Sequence, residues 1–188
     1  MKRDRRDFLK ILTSGVLTAS IVPLCASAEE KKPKPDVEGV SPKNRAEEAL
    51  SLMQEYGSCC TGVLAAYAPE MGMEKDLAAG VGRGMAGGIG GLGHVCGAVS
   101  GAVMVIGLKT TNEDNIHDMA AGFNTMDTVK EFVARFEEQH SSIGCRELTG
   151  YDISTREKSG AAMKENAFAN CPKFVESAVT ILDDILGK

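Results

Sequence analysis

Apolar residues recur along much of this chain at intervals of three and four, the period of a helix with one buried face. Ser41-Pro42 supplies a cap and a proline at the first helical position, and Ala46, Ala49, Leu50, Met53 and Tyr56 follow on one side. Gly57-Ser58 ends or kinks that helix. Ser58 can cap a second, with Cys59, Val63 and Ala66 on one line and Cys60, Leu64 and Tyr67 on the next. Pro69 closes it, and a short helix over Met73 to Ala79 follows. From Val95 to Leu108 the chain is apolar nearly all round, as a buried core helix is, and Gly97 and Gly101, one turn apart, leave room for a neighbouring helix. Thr111-Asn112-Glu113-Asp114 makes a capping-box pattern. Behind it Ile116, Met119, Ala120, Phe123, Met126, Val129, Val133 and Phe136 trace an inward stripe that ends near His140. Residues 141–152 read as a turn and 153–169 as a loop with a short helix; Pro172 then opens a last helix with Phe174, Val175, Ala178, Val179, Leu182 and Ile185 inward. No stretch alternates as a half-buried strand must. The predicted fold is all-α: a compact bundle of about five to six helices with a glycine-rich loop before a buried apolar helix.

Ahead of this domain, Arg5-Arg6 precedes Phe8-Leu9-Lys10, an apolar stretch from Ile11 to Leu24 and the small-residue exit Ala26-Ser27-Ala28. Those three parts make a twin-arginine export signal over residues 1–28. The apolar stretch is too short and too broken to span a bilayer, so membrane contact is expected only through the export machinery. Residues 29–41, charged and with two prolines, read as a flexible linker, leaving a helical four-cysteine domain over 42–187. Removing the leader takes away five basic and two acidic side chains, so 16 basic and 24 acidic remain and the formal charge falls from −5 to −8. A surface this acidic repels phosphate backbones and argues against nucleic acid as a partner. Localisation is predicted to be periplasmic or otherwise extracytoplasmic.

The glycine run narrows the choices further. Eight of the 14 residues from Gly80 to Gly93 are glycine, which rules out ordinary helix and suggests a loop whose bare backbone comes close to something. Two G-x-G-x-x-G strings lie inside it, Gly82 to Gly87 and Gly88 to Gly93, but no strand precedes either, so no nucleotide is expected. His94 follows the run and stands two residues before Cys96; such a loop histidine is commonly solvated, but it is also placed to offer a centre there a ligand or a hydrogen bond.

Six cysteines stand at 25, 59, 60, 96, 145 and 171. Cys25 leaves with the leader, and the remaining five are an odd number that disulfides alone cannot pair. Cys59, Cys96, Cys145 and Cys171 each fall at or near a helix start or turn, where free N–H groups and the positive dipole end favour thiolate. Four thiolates are what an iron–sulfur cluster or structural zinc requires. Their wide spacing lacks the close pairs usual in such sites, and buried unreactive cysteines are equally compatible with it. The absence of any C-x-x-C-H excludes c-type haem. Cys60 reads as an inert core thiol ahead of a spare ligand or half of a vicinal disulfide, His117 and His140 as surface residues, and Arg146 as a partner for Glu147 or a helix end or as a charge able to lower the Cys145 pKa.

The residues around the sulfurs carry a resemblance. Cys59 with Val63-Leu64-x-Ala66-Tyr67, the glycine run, Cys96-Gly97-Ala98-x-x-Gly101, Cys145-Arg146-Glu147-Leu148 and Cys171-Pro172-Lys173 together resemble the C_GCAxxG_C_C family of small redox-active proteins, over nearly the whole domain. The family also looks related to the cluster-bearing part of split-Soret cytochromes. That resemblance implies an exported redox protein in which Cys59, Cys96, Cys145 and Cys171 converge on one iron–sulfur or metal centre. Gly97, Ala98, Gly101 and His94 would border the centre, and a protein would be its redox partner. Electron transfer or an accessory role fits better than turnover. The same residues leave room for two cysteine pairs cycling between dithiol and disulfide, or for a binding module braced by disulfides.

Overall fold

A computed structural model describes residues 42–187; the stretches read as export signal and linker fall outside them, as does the predicted Ser41 cap. Among the described residues there are eight α-helices and no strand: α1 (Pro42–Tyr56), α2 (Cys59–Tyr67), α3 (Lys75–Gly82), α4 (Gly97–Thr110), α5 (Met119–His140), α6 (Cys145–Thr149), α7 (Arg156–Lys164) and α8 (Cys171–Leu186). The all-α expectation holds. The helix number exceeds it because the glycine- and turn-rich stretches hold short pieces: α6 falls where only a turn was expected, while α7 is the short helix expected within residues 153–169.

Helix α2 is the hub. It packs against α1, α3, α4 and α8, and every residue from Cys60 to Tyr67 is buried. The expected glycine seam joins it to α4. A Cβ on Gly101 would stand 2.8 Å from the Cys60 carbonyl oxygen and 3.0 Å from the Val63 Cβ, and one on Gly97 would stand 3.0 Å from the Cys60 nitrogen. Only glycine lets these backbones approach so closely. Gly62 does the same between α2 and α1, where a Cβ would lie 2.6 Å from the Ala49 carbonyl oxygen. Against this pair α8 lays Phe174, Val175, Ala178, Val179, Ile181 and Leu182, all buried. Burial of each large side chain stabilises by about 1.5–3 kcal/mol.

Away from the sulfurs, Arg45 ties three elements together. Its guanidinium bonds Asp183 of α8 at 2.8 Å, pairs with Glu70 of the 3-10 turn Ala68–Met71, and lies 4.4 Å from the Tyr67 ring centroid.

Helix α5 departs from expectation. Its first turn is capped by Asp118, whose carboxylate accepts from the Ala120 N–H at 2.9 Å, and not by the Thr111 box. Its C-terminal half buries Phe132 and Phe136, whereas Ile116, Met119, Phe123 and Met126 of the predicted inward stripe are exposed. The periodicity was that of a buried face, but the helix outruns the core that could cover it. His140 is also misplaced by sequence reasoning. It sits between Phe136 and Phe174, with ring centroids at 4.6 and 5.0 Å, and its Nε2 is buried without a partner. His117 is exposed, as expected.

Candidate redox centre: four cysteines on one cavity

Each of the four cysteines opens a helix. Cys59 is the first residue of α2, Cys96 caps α4, Cys145 is the first residue of α6 and Cys171 the first of α8. These helix starts converge, because Cys59, Cys96, Cys145 and Cys171 all line one cavity of about 510 Å³. The described cysteines are all free thiols.

Backbone pairing brings two of the four together. The Cys96 N–H donates to the Ile143 carbonyl at 2.7 Å, the Cys145 N–H to the His94 carbonyl at 2.5 Å and the Arg146 N–H to the Gly93 carbonyl at 3.0 Å. Around the isolated antiparallel bridge Val95–Gly144, these bonds splice the segment before α4 to the segment before α6. The glycine loop then closes over the splice. Residues Gly87, Gly88, Ile89, Gly90 and Gly91 all have positive φ, a left-handed run that residues other than glycine strongly resist. A Cβ on Gly88 would lie 2.8 Å from the Cys145 Cβ and 2.6 Å from the His94 nitrogen. The close approach predicted for this loop is therefore an approach to Cys145. Its N-terminal end is more regular than expected, since Gly80 and Gly82 finish α3.

The other two sulfurs interact directly. Cys59 is held well above the usual thiol range, first by hydrogen bonding with Cys171 and then by burial; the same interaction holds Cys171 below that range. The Cys59–Cys171 pair thus retains one proton more readily than two. Burial pushes Cys145 up to about 11, and the charges of Cys96 and Cys171 add to this. Cys96 is raised by burial, partly offset by the Ala98 and Val99 N–H groups that point at its sulfur. The Cys96 side chain makes no regular cap hydrogen bond. The thiolate-favouring effect expected of helix starts is therefore overridden by desolvation at Cys96 and Cys145. Cys60 is fully buried beneath Gly82, Gly97 and Gly101, does not line the cavity, and is pushed up to about 12 by burial, as an inert core thiol would be.

Of the other predicted residues, Gly97 lines the cavity and Ala98 contributes its N–H to Cys96. Gly101 faces α2, away from the cavity wall, and serves the helix seam. The His94 side chain is exposed and off the cavity wall; its part is the carbonyl that holds Cys145. Arg146 turns to Asp152 at 3.1 Å. Sequence reasoning missed Ile153, Met163 and Phe168, which line the cavity from a stretch with no clean period, and took Ser58 only for a cap. Ser58 does precede α2, but its side chain caps nothing: the residue lines the cavity and its buried Oγ has no hydrogen-bond partner.

Among the described residues no three His, Cys, Asp or Glu side chains stand close enough together to hold a single metal ion. The donor chemistry nonetheless suits a thiolate-ligated group, with four cysteines lining one half-open cavity and N–H donors beside one of them.

Fold and site together define a small all-helical protein that gathers four thiols from distant parts of the chain onto one cavity. The sequence pattern of the family described as Putative redox-active protein (C_GCAxxG_C_C) matches residues 57–185, and the chain belongs to that family. No curated protein and no solved structure matches it.

Proposed function

We propose that this chain is an exported electron-transfer protein in which Cys59, Cys96, Cys145 and Cys171 hold one iron–sulfur centre and exchange electrons with a partner protein. The observation that carries the proposal is the meeting of four helix-starting cysteines on one cavity. A cluster bound there supplies one-electron chemistry. The chain supplies the four sulfurs, the Ala98 and Val99 N–H groups that stabilise negative charge on Cys96, and a largely apolar wall around them. A cluster spans more of a 510 Å³ space than a single ion does. Export after folding, as the leader suggests, suits a centre that must be loaded first.

The test is anaerobic purification followed by iron, zinc, sulfide and free-thiol counts with an absorption spectrum. Iron and sulfide in cluster stoichiometry, lost in each single Cys→Ser variant of the four, is the expected result. Full metal content and an unchanged spectrum in those variants would overturn it.

One observation favours a second reading. The direct Cys59–Cys171 interaction, with Cys171 the more readily ionised, is the arrangement of a dithiol that closes to a disulfide. That reading requires a free-thiol count that changes by two with reductant, and no bound metal.

A further inference from the structure

The sulfurs occupy only part of the cavity wall. Ile153, Met163, Phe168 and Phe174 make an apolar surface beside them, and no Asp, Glu, Lys, Arg or His lines the cavity in a chain that is 25% charged. A molecule bearing charge would give up its water here with no opposite side chain to meet it, so a neutral molecule enters at least cost. The cavity of about 510 Å³ falls within the roughly 300–1,000 Å³ typical of small-molecule sites, and a centre held by the four sulfurs takes up the part of it beside them. Ser58 lines the same cavity, and its hydroxyl, buried and unpartnered behind the wall, can turn about the Cα–Cβ bond to meet an acceptor atom and so settle its lost solvation.

We propose that the apolar part of the cavity binds a small neutral ring compound carrying hydrogen-bond-accepting oxygens, of the quinone class, with its ring against Phe168 and Phe174 and one oxygen accepting from the Ser58 hydroxyl. The choice of a quinone among neutral ring compounds rests on the redox reading above; the pocket itself does not. Phenyl rings and the Met53 and Met163 thioethers suit a flat aromatic face.

Isothermal titration of the anaerobically purified chain with 2,3-dimethyl-1,4-naphthoquinone, whose substituted ring carbons resist addition of thiols, tests this. One saturable site per chain with micromolar affinity is expected. Ser159→Phe, which fills the cavity from α7, should weaken binding at least tenfold, and Ser58→Ala roughly tenfold through loss of one hydrogen bond. Met163 is 66% exposed, so Met163→Ala tests the same wall without risk to folding and should weaken binding several-fold. Metal and thiol counts on the same samples separate the two proposals. A chain with its centre intact but no saturable binding overturns the pocket, as does equal affinity in the wild type and a Ser159→Phe variant of unchanged helical content. Binding that persists in a chain without a redox-active centre leaves the pocket and removes the redox reading.

Discussion

Cys59 and Cys96 stand on α2 and α4, two helices seamed closely through glycine, whereas Cys145 stands on a five-residue helix beside a small separate cluster of Ile153, Ala162 and Ala167. On the first side, glycine removes side chains so that backbones touch, and the sulfurs inherit the rigidity of the main core. On the second, the position of Cys145 depends on backbone hydrogen bonds to residues 93–94 and on a loop of left-handed glycines, while α7 has no extensive packing on other helices. One cavity is thus built from a stiff wall and a loosely supported one, and local opening belongs to the second.

The comparison breaks most severely at Gly101. Gly101→Leu drives a side chain into the Cys60 carbonyl and Val63, and should cost about 3 kcal/mol in chemical denaturation while dispersing the four thiols. A loss under about 1 kcal/mol would mean that the seam is softer than its contacts indicate. Ile153→Ala acts on the other wall. It should cost about 2 kcal/mol, the low end for such a truncation because the site can collapse, with faster amide exchange confined to residues 145–168. Exchange that rises equally in α2 and α4 would show the two walls to be one cooperative unit.

Titration should separate the walls by pH. Cys60, pushed up to about 12 by burial, favours the folded state fully below the ordinary thiol value of about 8.5, and that contribution is lost as pH rises toward 12. Cys60→Ala should therefore flatten the alkaline loss of stability of the metal-free chain, cost about 1 kcal/mol, and leave the four-thiol centre unchanged in its spectrum. The smallest effect is expected at Asp152. Lys158 and the Ser154 N–H hold its carboxylate below the usual range, so its contribution is present above that range and lost as pH falls through and below it. Limited proteolysis of the α6–α7 stretch should accelerate in acid, and Asp152→Asn should remove that dependence.

The stiff wall was largely legible in the sequence and the loose one was not. Pro42, Ser58 and Pro172 marked helix starts that stand in the structure, and the Gly97–Gly101 spacing announced a close crossing because only one physical use of two small residues a turn apart was available. The convergence of the cysteines came from family resemblance, since spacings of tens of residues carry no distance information. Met163 escaped because a short helix buries too few residues to generate a period, and Ile153 and Phe168 because they lie in the irregular chain on either side of it. The Val95–Gly144 bridge escaped because a single pair has no alternation to detect. The exposed half of α5 misled for the converse reason: its repeat is genuine, but periodicity does not say how far the partner surface extends.

That uncovered face also affects how redox chemistry on this protein should be measured. Met119 and Met126 present their thioethers to solvent at 75% and 57% exposure, outside the cavity wall. Hydrogen peroxide converts such residues to sulfoxides. An oxidant titration will therefore consume equivalents at α5 that have nothing to do with cysteine, and intact mass after methionine sulfoxide reductase treatment is the way to subtract them.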